Sequence, residues 1–330
     1  MKHRILGQGL EVSALGIGCM PMAGVGANMY GQTDEAESIA TLHEAIDLGV
    51  TFFDTAQIYG PFENEEILGK AIKGRREGLV IATKFGFRFT GTLVEGSDGS
   101  PANARAACEA SLRRLGIDTI DLFYLHRVDP DVPIEESVGG MADLVQEGKI
   151  RHVGLSETSA ATLRRAAATY SIAALQSEYS LWERDIETEI LPACRDLGVG
   201  LVPYSPLGRG FLTGRIGSLE DLPADDYRHR DPRYAAENFA ANFRIVDAVR
   251  TVGERHGVSP AQVALAWLLA QGKDIVPIPG TKRRATMRDS MAAATVALDA
   301  RDLAALDSAA PRGATAGPRY GAAGMRLVRL

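Results

Sequence analysis

Eight short apolar segments, alternating along the chain with longer stretches of helical periodicity, limit what this sequence can fold into. They span 15–19, 50–54, 79–84, 120–126, 153–156, 172–176, 199–204 and 274–278. Near-continuous apolar runs separated by helices are what a parallel sheet covered by helices requires. Eight such units favour a closed (β/α)₈ TIM barrel over an open doubly wound sheet. Two short segments joined through Gly7 and Gly9 predict a β-hairpin ahead of the first barrel strand. A second helix pair, 243–256 and 260–271, precedes the last strand. Two stretches fall outside the repeat: a Gly- and Asp-rich loop, 205–242, and a C-terminal tail from 309. Loops this long in a compact domain usually line a site, so they are expected to form substrate walls, together with 20–30 and 85–98. The expectation is one domain over residues 1–330.

Composition removes several function classes. Net charge is −6 with no basic block, which argues against nucleic acid or an anionic membrane as partner. Cys19, Cys108 and Cys194 have no disulfide or zinc spacing, and no two histidines stand at a metal-binding interval, so no metal is expected. No apolar run is long enough to span a bilayer, and the start lacks the apolar core of a signal peptide. A cytoplasmic enzyme acting on a small molecule is the expectation; oligomeric state is left open.

The ends of the strands carry the chemistry. Asp54, Lys84, His126, Ser156, Gln176 and Tyr204 each close a different apolar segment. In a barrel these ends converge on one face, where active sites lie. Any one of them alone is an ordinary cap or turn residue. A lysine and an aspartate that both end apolar strands need each other. Tyr59, five residues past Asp54, joins this set. A free phenol has a pKa of about 10, and a neighbouring ammonium lowers it. Lys84, held by Asp54, is thus expected to tune Tyr59 as a proton donor, with His126 polarising or relaying. Such a set suits delivery of a proton to a carbonyl oxygen.

A second set points to a dinucleotide. Gly280-Thr281-Lys282-Arg283 follows the last strand and opens a short helix, a recurrent phosphate site in barrels. Lys282, Arg283 and Arg288 would favour a 2′-phosphate, hence NADPH over NADH. Tyr204 offers a flat face for a nicotinamide ring. No Gly-x-Gly-x-x-Gly loop follows a strand, so binding would not be of the Rossmann kind.

Taken together, Phe53-Asp-Thr-Ala-Gln-Ile-Tyr-Gly60, Thr83-Lys84, Leu125-His-Arg127, Gly154-Leu-Ser-Glu157, Gln176-Ser-Glu-Tyr-Ser180, Tyr204-Ser-Pro-Leu-Gly-Arg-Gly210 and Pro279-Gly-Thr-Lys282 resemble the aldo-keto reductases. The opening Leu6-Gly-x-Gly-Leu-x-Val-Ser13 and the tail's Arg319-Tyr-Gly are similar to a bacterial, plant and fungal branch with pyridoxal- and auxin-induced-protein-like members. The resemblance implies NADPH bound across the C-terminal face and a tetrad of Asp54, Tyr59, Lys84 and His126. It further implies that Ser156 and Gln176 hold the carboxamide. Ser205, Leu207, Arg209 and Gly210 would cover the pyrophosphate, and Lys282 with Arg283 would take the adenosine phosphate. Two positions depart from the pattern: Glu157 stands where Asn is usual, and Asp289-Ser290 where the family commonly has Glu-Asn.

Two rival readings keep the barrel. One is a nicotinamide-sensing regulatory subunit resembling channel β subunits; retention of all four tetrad residues favours the enzyme. The other is a lyase or isomerase using Lys84 as a Schiff-base amine.

Overall fold

The computed structural model describes residues 1–23 and 30–330. Strands β1 (His3–Ile5) and β2 (Glu11–Ser13) form the antiparallel hairpin through a 3₁₀ turn, Gly7–Gly9. The barrel strands then follow as β3 (Ile17–Gly18), β4 (Phe52–Asp54), β5 (Val80–Phe85), β8 (Ile120–Leu125), β9 (Ile150–Ser156), β10 (Ile172–Glu178) and β11 (Gly200–Tyr204). They pair in parallel in the order β11-β10-β9-β8-β5-β4-β3. Between β5 and β8 lies a second hairpin, β6 (Phe87–Thr90) with β7 (Leu93–Ser97). The outer helices are α1 (Glu35–Asp47), α2 (Glu63–Ile72), α3 (Pro101–Leu115), α4 (Ile134–Gln146), α5 (Ala160–Thr169) and α6 (Ile190–Leu197). They continue with α7 (Ala236–His256), α8 (Pro260–Ala270), α9 (Arg284–Ala292), α10 (Ala300–Ala309) and, in the tail, α11 (Ala322–Met325).

The eighth expected strand closes the circle without becoming a regular strand. The Val276 and Ile278 amides donate to Leu201 and Pro203 on one side, at 2.9 and 3.0 Å. On the other side the Pro277 and Pro279 carbonyls accept from Gly16 and Gly18, at 3.0 and 3.1 Å. Proline has no N–H to return, so Pro277 and Pro279 join this seam as acceptors alone. Three other expectations need correction. Helix α7 begins at Ala236, seven residues earlier than the periodicity implied, with Phe239 buried in its first turns. The wall 85–98 is largely a hairpin rather than irregular loop. Loop 205–242 is threaded with 3₁₀ turns at Gly208–Thr213, Leu219–Asp221, Tyr227–Arg230 and Pro232–Tyr234. Of the wall 20–30, residues 24–29 lie outside the described residues.

Two apolar layers hold the fold. One lies between barrel and helices, and the other fills the barrel with Phe52, Ala82, Leu122, Tyr124, Ala174, Val202, Val276 and Ile278. Leu6, Leu10 and Val12 of the hairpin belong to this inner layer, so the hairpin plugs the barrel at the N-terminal mouth. A Cβ on Gly200 would stand 2.4 Å from Leu6 Cδ2, which shows how tightly the plug sits. The inner row has period two along each strand. Two residues beyond Phe52, Ala82, Tyr124, Ala174 and Val202 come Asp54, Lys84, His126, Gln176 and Tyr204. The apolar filling therefore gives way to polar side chains at the C-terminal ends.

Candidate active site

Strand β4 delivers Asp54 and β5 delivers Lys84, and both side chains are buried at 2% and 0% exposure. Lys84 Nζ donates to Asp54 Oδ1 at 2.5 Å, to the Thr55 carbonyl at 2.8 Å and to the Tyr59 hydroxyl at 3.3 Å. The other carboxylate oxygen of Asp54 accepts from Gln176 Nε2 at 2.8 Å. His126, just past β8, meets the Tyr59 ring edge-on with centroids 5.8 Å apart. Behind it the Phe87 ring of the second hairpin packs at 5.3 Å. The four residues expected to form the tetrad are thus brought together.

The loop carrying Tyr59 is braced from behind. Thr55 Oγ1 donates to Asn64 Oδ1 at 2.6 Å, and Asn64 Nδ2 donates to the Cys19 carbonyl at 2.7 Å. Glu65 accepts from Thr83 at 2.6 Å and from Arg114 at 2.6 Å, which ties α2 to β5 and α3. Phe62 enters α2 at φ 76°, a strained conformation for a bulky residue that turns the chain sharply after Tyr59.

The electrostatics sharpen one expectation and reverse another. Burial pulls the Lys84 ammonium down, but Asp54 and Tyr59 more than offset it, and the group stays charged. A permanently charged, triply bonded ammonium is not the free amine a Schiff base needs, which argues against the lyase reading. For Tyr59 burial is the largest influence and Lys84 only opposes it, so the phenol stands above its ordinary value rather than below it. Tyr59 is therefore protonated at neutral pH. His126 is held well below the usual histidine value by burial, then by the charges of Arg127 and Lys84, so its ring is neutral.

Ser156 and Gln176 are register partners on β9 and β10, side by side at the rim. Ser156 Oγ accepts from Arg127 Nη1 at 3.2 Å. Glu157, in the left-handed region at φ 56°, turns its carboxylate away from them. Its Oε1 accepts the Glu178 amide at 2.9 Å and pairs with Arg319 Nη2 at 2.8 Å. Arg319 also donates to the Tyr204 hydroxyl at 2.9 Å, and Tyr320 shares a hydrogen bond with the same hydroxyl at 2.8 Å. Beneath them Glu178 and Glu183 meet Arg233, while Arg329 reaches Glu183 at 3.1 Å. Reading along the sequence misses this cluster; its only trace is three glutamates just beyond two strand ends.

Ser205 and Leu207 lie half-buried in the turn after β11, where the Gly208 amide bonds the Ser205 carbonyl at 2.9 Å. Gly210 takes φ 96°, a conformation suited to glycine. Arg209 faces inward, paired with Asp231 and donating to the Arg319 carbonyl at 3.3 Å. At the start of α9, Lys282 and Arg283 line a cleft of about 210 Å³ with Gln32, Thr33, Asp34 and Glu37. Gly280 bridges to Gly18, and Thr281 shares a hydrogen bond with Thr286 at 2.7 Å. The first amide of α9 is already met by Glu37 at 3.0 Å. Arg288 does not reach the cleft: it is paired with Glu44 of α1. Asp289 accepts from Gln262 at 2.7 Å, and Ser290 is buried. Among the described residues no cluster of His, Cys, Asp and Glu could hold a metal.

A parallel barrel with an acid–base cluster at its C-terminal rim defines an α/β-barrel enzyme fold. The chain belongs to the aldo/keto reductase family, whose profile matches residues 14–311. It is similar to a probable aldo-keto reductase from Glycine max, 47% identical over 95% of this chain and 90% of that protein. A glycerol dehydrogenase from Gluconobacter oxydans superposes with TM-score 0.84 at 31% identity, covering 93% and 94% of the two chains. An aldo/keto reductase from Klebsiella pneumoniae, solved with NADP and acetate, superposes with TM-score 0.74 at 28% identity over 97% and 99%. The family acts as oxidoreductases on carbonyl and alcohol groups. No helix among the described residues is long and apolar enough to cross a membrane.

Proposed function

We propose that this protein reduces aldehydes or ketones to alcohols with NADPH, Tyr59 giving the proton. The observation that carries this is the Lys84 ammonium, bonded at once to Asp54 at 2.5 Å and to the Tyr59 hydroxyl at 3.3 Å. When bound, the nicotinamide supplies a hydride to the carbonyl carbon. As that carbon gains two electrons, the oxygen takes up negative charge and draws the proton from Tyr59. Lys84 then stabilises the phenolate left behind, and a solvent proton restores the phenol. Neutral His126 orients the substrate oxygen by a hydrogen bond rather than as an imidazolium.

The side chains present suit the cofactor. Ser156 and Gln176 offer a hydroxyl and an amide at adjacent strand ends for a carboxamide, and Tyr204 offers a ring face. The turn of Ser205, Leu207, Arg209 and Gly210 would lie over the pyrophosphate. Lys282 is lowered by burial and then by the like charges of Arg283 and Arg228, as expected of a site built for an anion. Lys282 and Arg283 would hold the 2′-phosphate; with Arg288 committed to Glu44, it is left out of that role.

Fluorescence titration with NADPH and NADH, followed by a carbonyl panel, tests cofactor and reaction together. Preference for NADPH and turnover of an activated aldehyde such as 4-nitrobenzaldehyde are expected. Full turnover by a Tyr59→Phe protein would sink the proton-donor role.

A further inference from the structure

Arg127 sits beside this chemistry with no carboxylate in direct contact among the described residues. It follows His126 at the end of β8 and is half-buried. Its two hydrogen bonds both leave from Nη1 and both go to neutral acceptors, the His126 carbonyl at 2.6 Å and Ser156 Oγ at 3.2 Å. Among the described residues no carboxylate lies within 4.0 Å of the guanidinium. Residues 24–29 contain no acidic side chain to supply one. The acid whose charge acts on it is Glu157, which is already committed to Arg319 at 2.8 Å and the Glu178 amide at 2.9 Å.

The four arginines of the neighbouring cluster have each found an acid. Arg209 has Asp231, Arg233 has Glu178 and Glu183, Arg319 has Glu157 and Glu178, and Arg329 has Glu183 and Asp185. The groups that Arg127 does face are Tyr59, Tyr204 and Tyr320 around the reaction site. A guanidinium withdrawn from water without a counter-ion is costly unless an anion meets it. Its planar fork matches a carboxylate with two parallel bonds.

We infer that Arg127 is the anchor for a carboxylate on the substrate, so that the preferred substrates are aldehydes or ketones bearing an acid group. This rests on the reductase reading of the same site. Arg127 is placed to hold the substrate's acid end while Tyr59 and His126 meet its carbonyl oxygen.

The test compares 4-carboxybenzaldehyde with its neutral counterpart, methyl 4-formylbenzoate, under saturating NADPH. The expected result is a kcat/KM for the acid roughly tenfold or more above that for the ester, with the difference in KM. In Arg127→Gln that ratio falls toward one, and Arg127→Lys restores part of it. Benzoate binding to the protein loaded with NADP⁺, followed by calorimetry, gives a readout independent of turnover and should weaken by a similar factor in Arg127→Gln. An acid-to-ester ratio that is the same in wild type and Arg127→Gln overturns the inference while leaving the reductase reading intact. So does a loss of NADPH affinity in Arg127→Gln that accounts for the whole effect, since it assigns the arginine to the cofactor. Failure of wild type to reduce either aldehyde, with benzoate binding still dependent on Arg127, defeats the reductase reading and spares the anion site.

Discussion

Arg319 and Glu157 join the end of the chain to the end of a barrel strand, with Nη2 and Oε1 2.8 Å apart and both side chains almost fully buried. Removing one partner of such a pair leaves an uncompensated buried charge. Arg319→Ala is expected to destabilise the protein by about 3–5 kcal/mol. Urea unfolding should show this, and adding Glu157→Gln to the same chain should recover part of the loss.

Tyr59→Phe removes the proposed acid and keeps the ring that packs on His126. Positioned general acids contribute about 10²–10⁴ in rate, so kcat for an aldehyde is expected to fall by that order. Steady-state kinetics at saturating NADPH measures it.

The direction of the Tyr59 shift sets the pH behaviour. Its pKa lies above that of a free phenol because burial outweighs Lys84. The protonated form needed for reduction therefore persists through the neutral and mildly alkaline range. Alcohol oxidation needs the phenolate and should rise with pH across the same range. A kcat/KM for reduction that stays level, and one for oxidation that rises, between about pH 7 and 9.5 are the expected outcome. A reduction rate that fell away above pH 7 would contradict the assignment.

His126 adds a stability effect of known sign. Its folded pKa lies well below the unfolded value of about 6.5, so between these two values the unfolded chain binds more protons. Stability therefore falls as pH drops below about 6.5, by at most about 1.4 kcal/mol per pH unit from this one group. Comparing the unfolding free energy of wild type and His126→Asn at pH 7 and pH 5.5 should show a shallower slope in the variant.

Gly154 is required by packing. A Cβ there would lie 2.4 Å from Cδ1 of the buried Tyr124 ring. Gly154→Ala should destabilise by about 1–3 kcal/mol, the usual range for overpacking a core, read by thermal unfolding.

The apolar runs made the barrel legible, because period two carries a polar residue at a strand end onto the inner row. That is why Asp54, Lys84 and His126 could be named as neighbours before any coordinates. The sign of the Tyr59 shift was not legible, since a neighbouring charge can be inferred from sequence and the depth of burial cannot. The Glu157, Glu178, Glu183 cluster was hidden for another reason: its arginines, at 209, 233, 319 and 329, come from distant loops with no period linking them. Arg288 misled because a basic residue one turn into a helix looks the same whether it faces a phosphate or, as here, Glu44.

The seam between the first and last barrel segments has a consequence for how the protein is made. Gly16 and Gly18 are synthesised well before Pro277 and Pro279, which accept their amides. Until then the growing sheet has an open edge at β3 that cannot yet close on its own partner. Because that edge is only two residues long, Ile17–Gly18, it offers a passing strand little to pair with. The short first strand thus leaves little backbone exposed at that one edge while the barrel is unclosed.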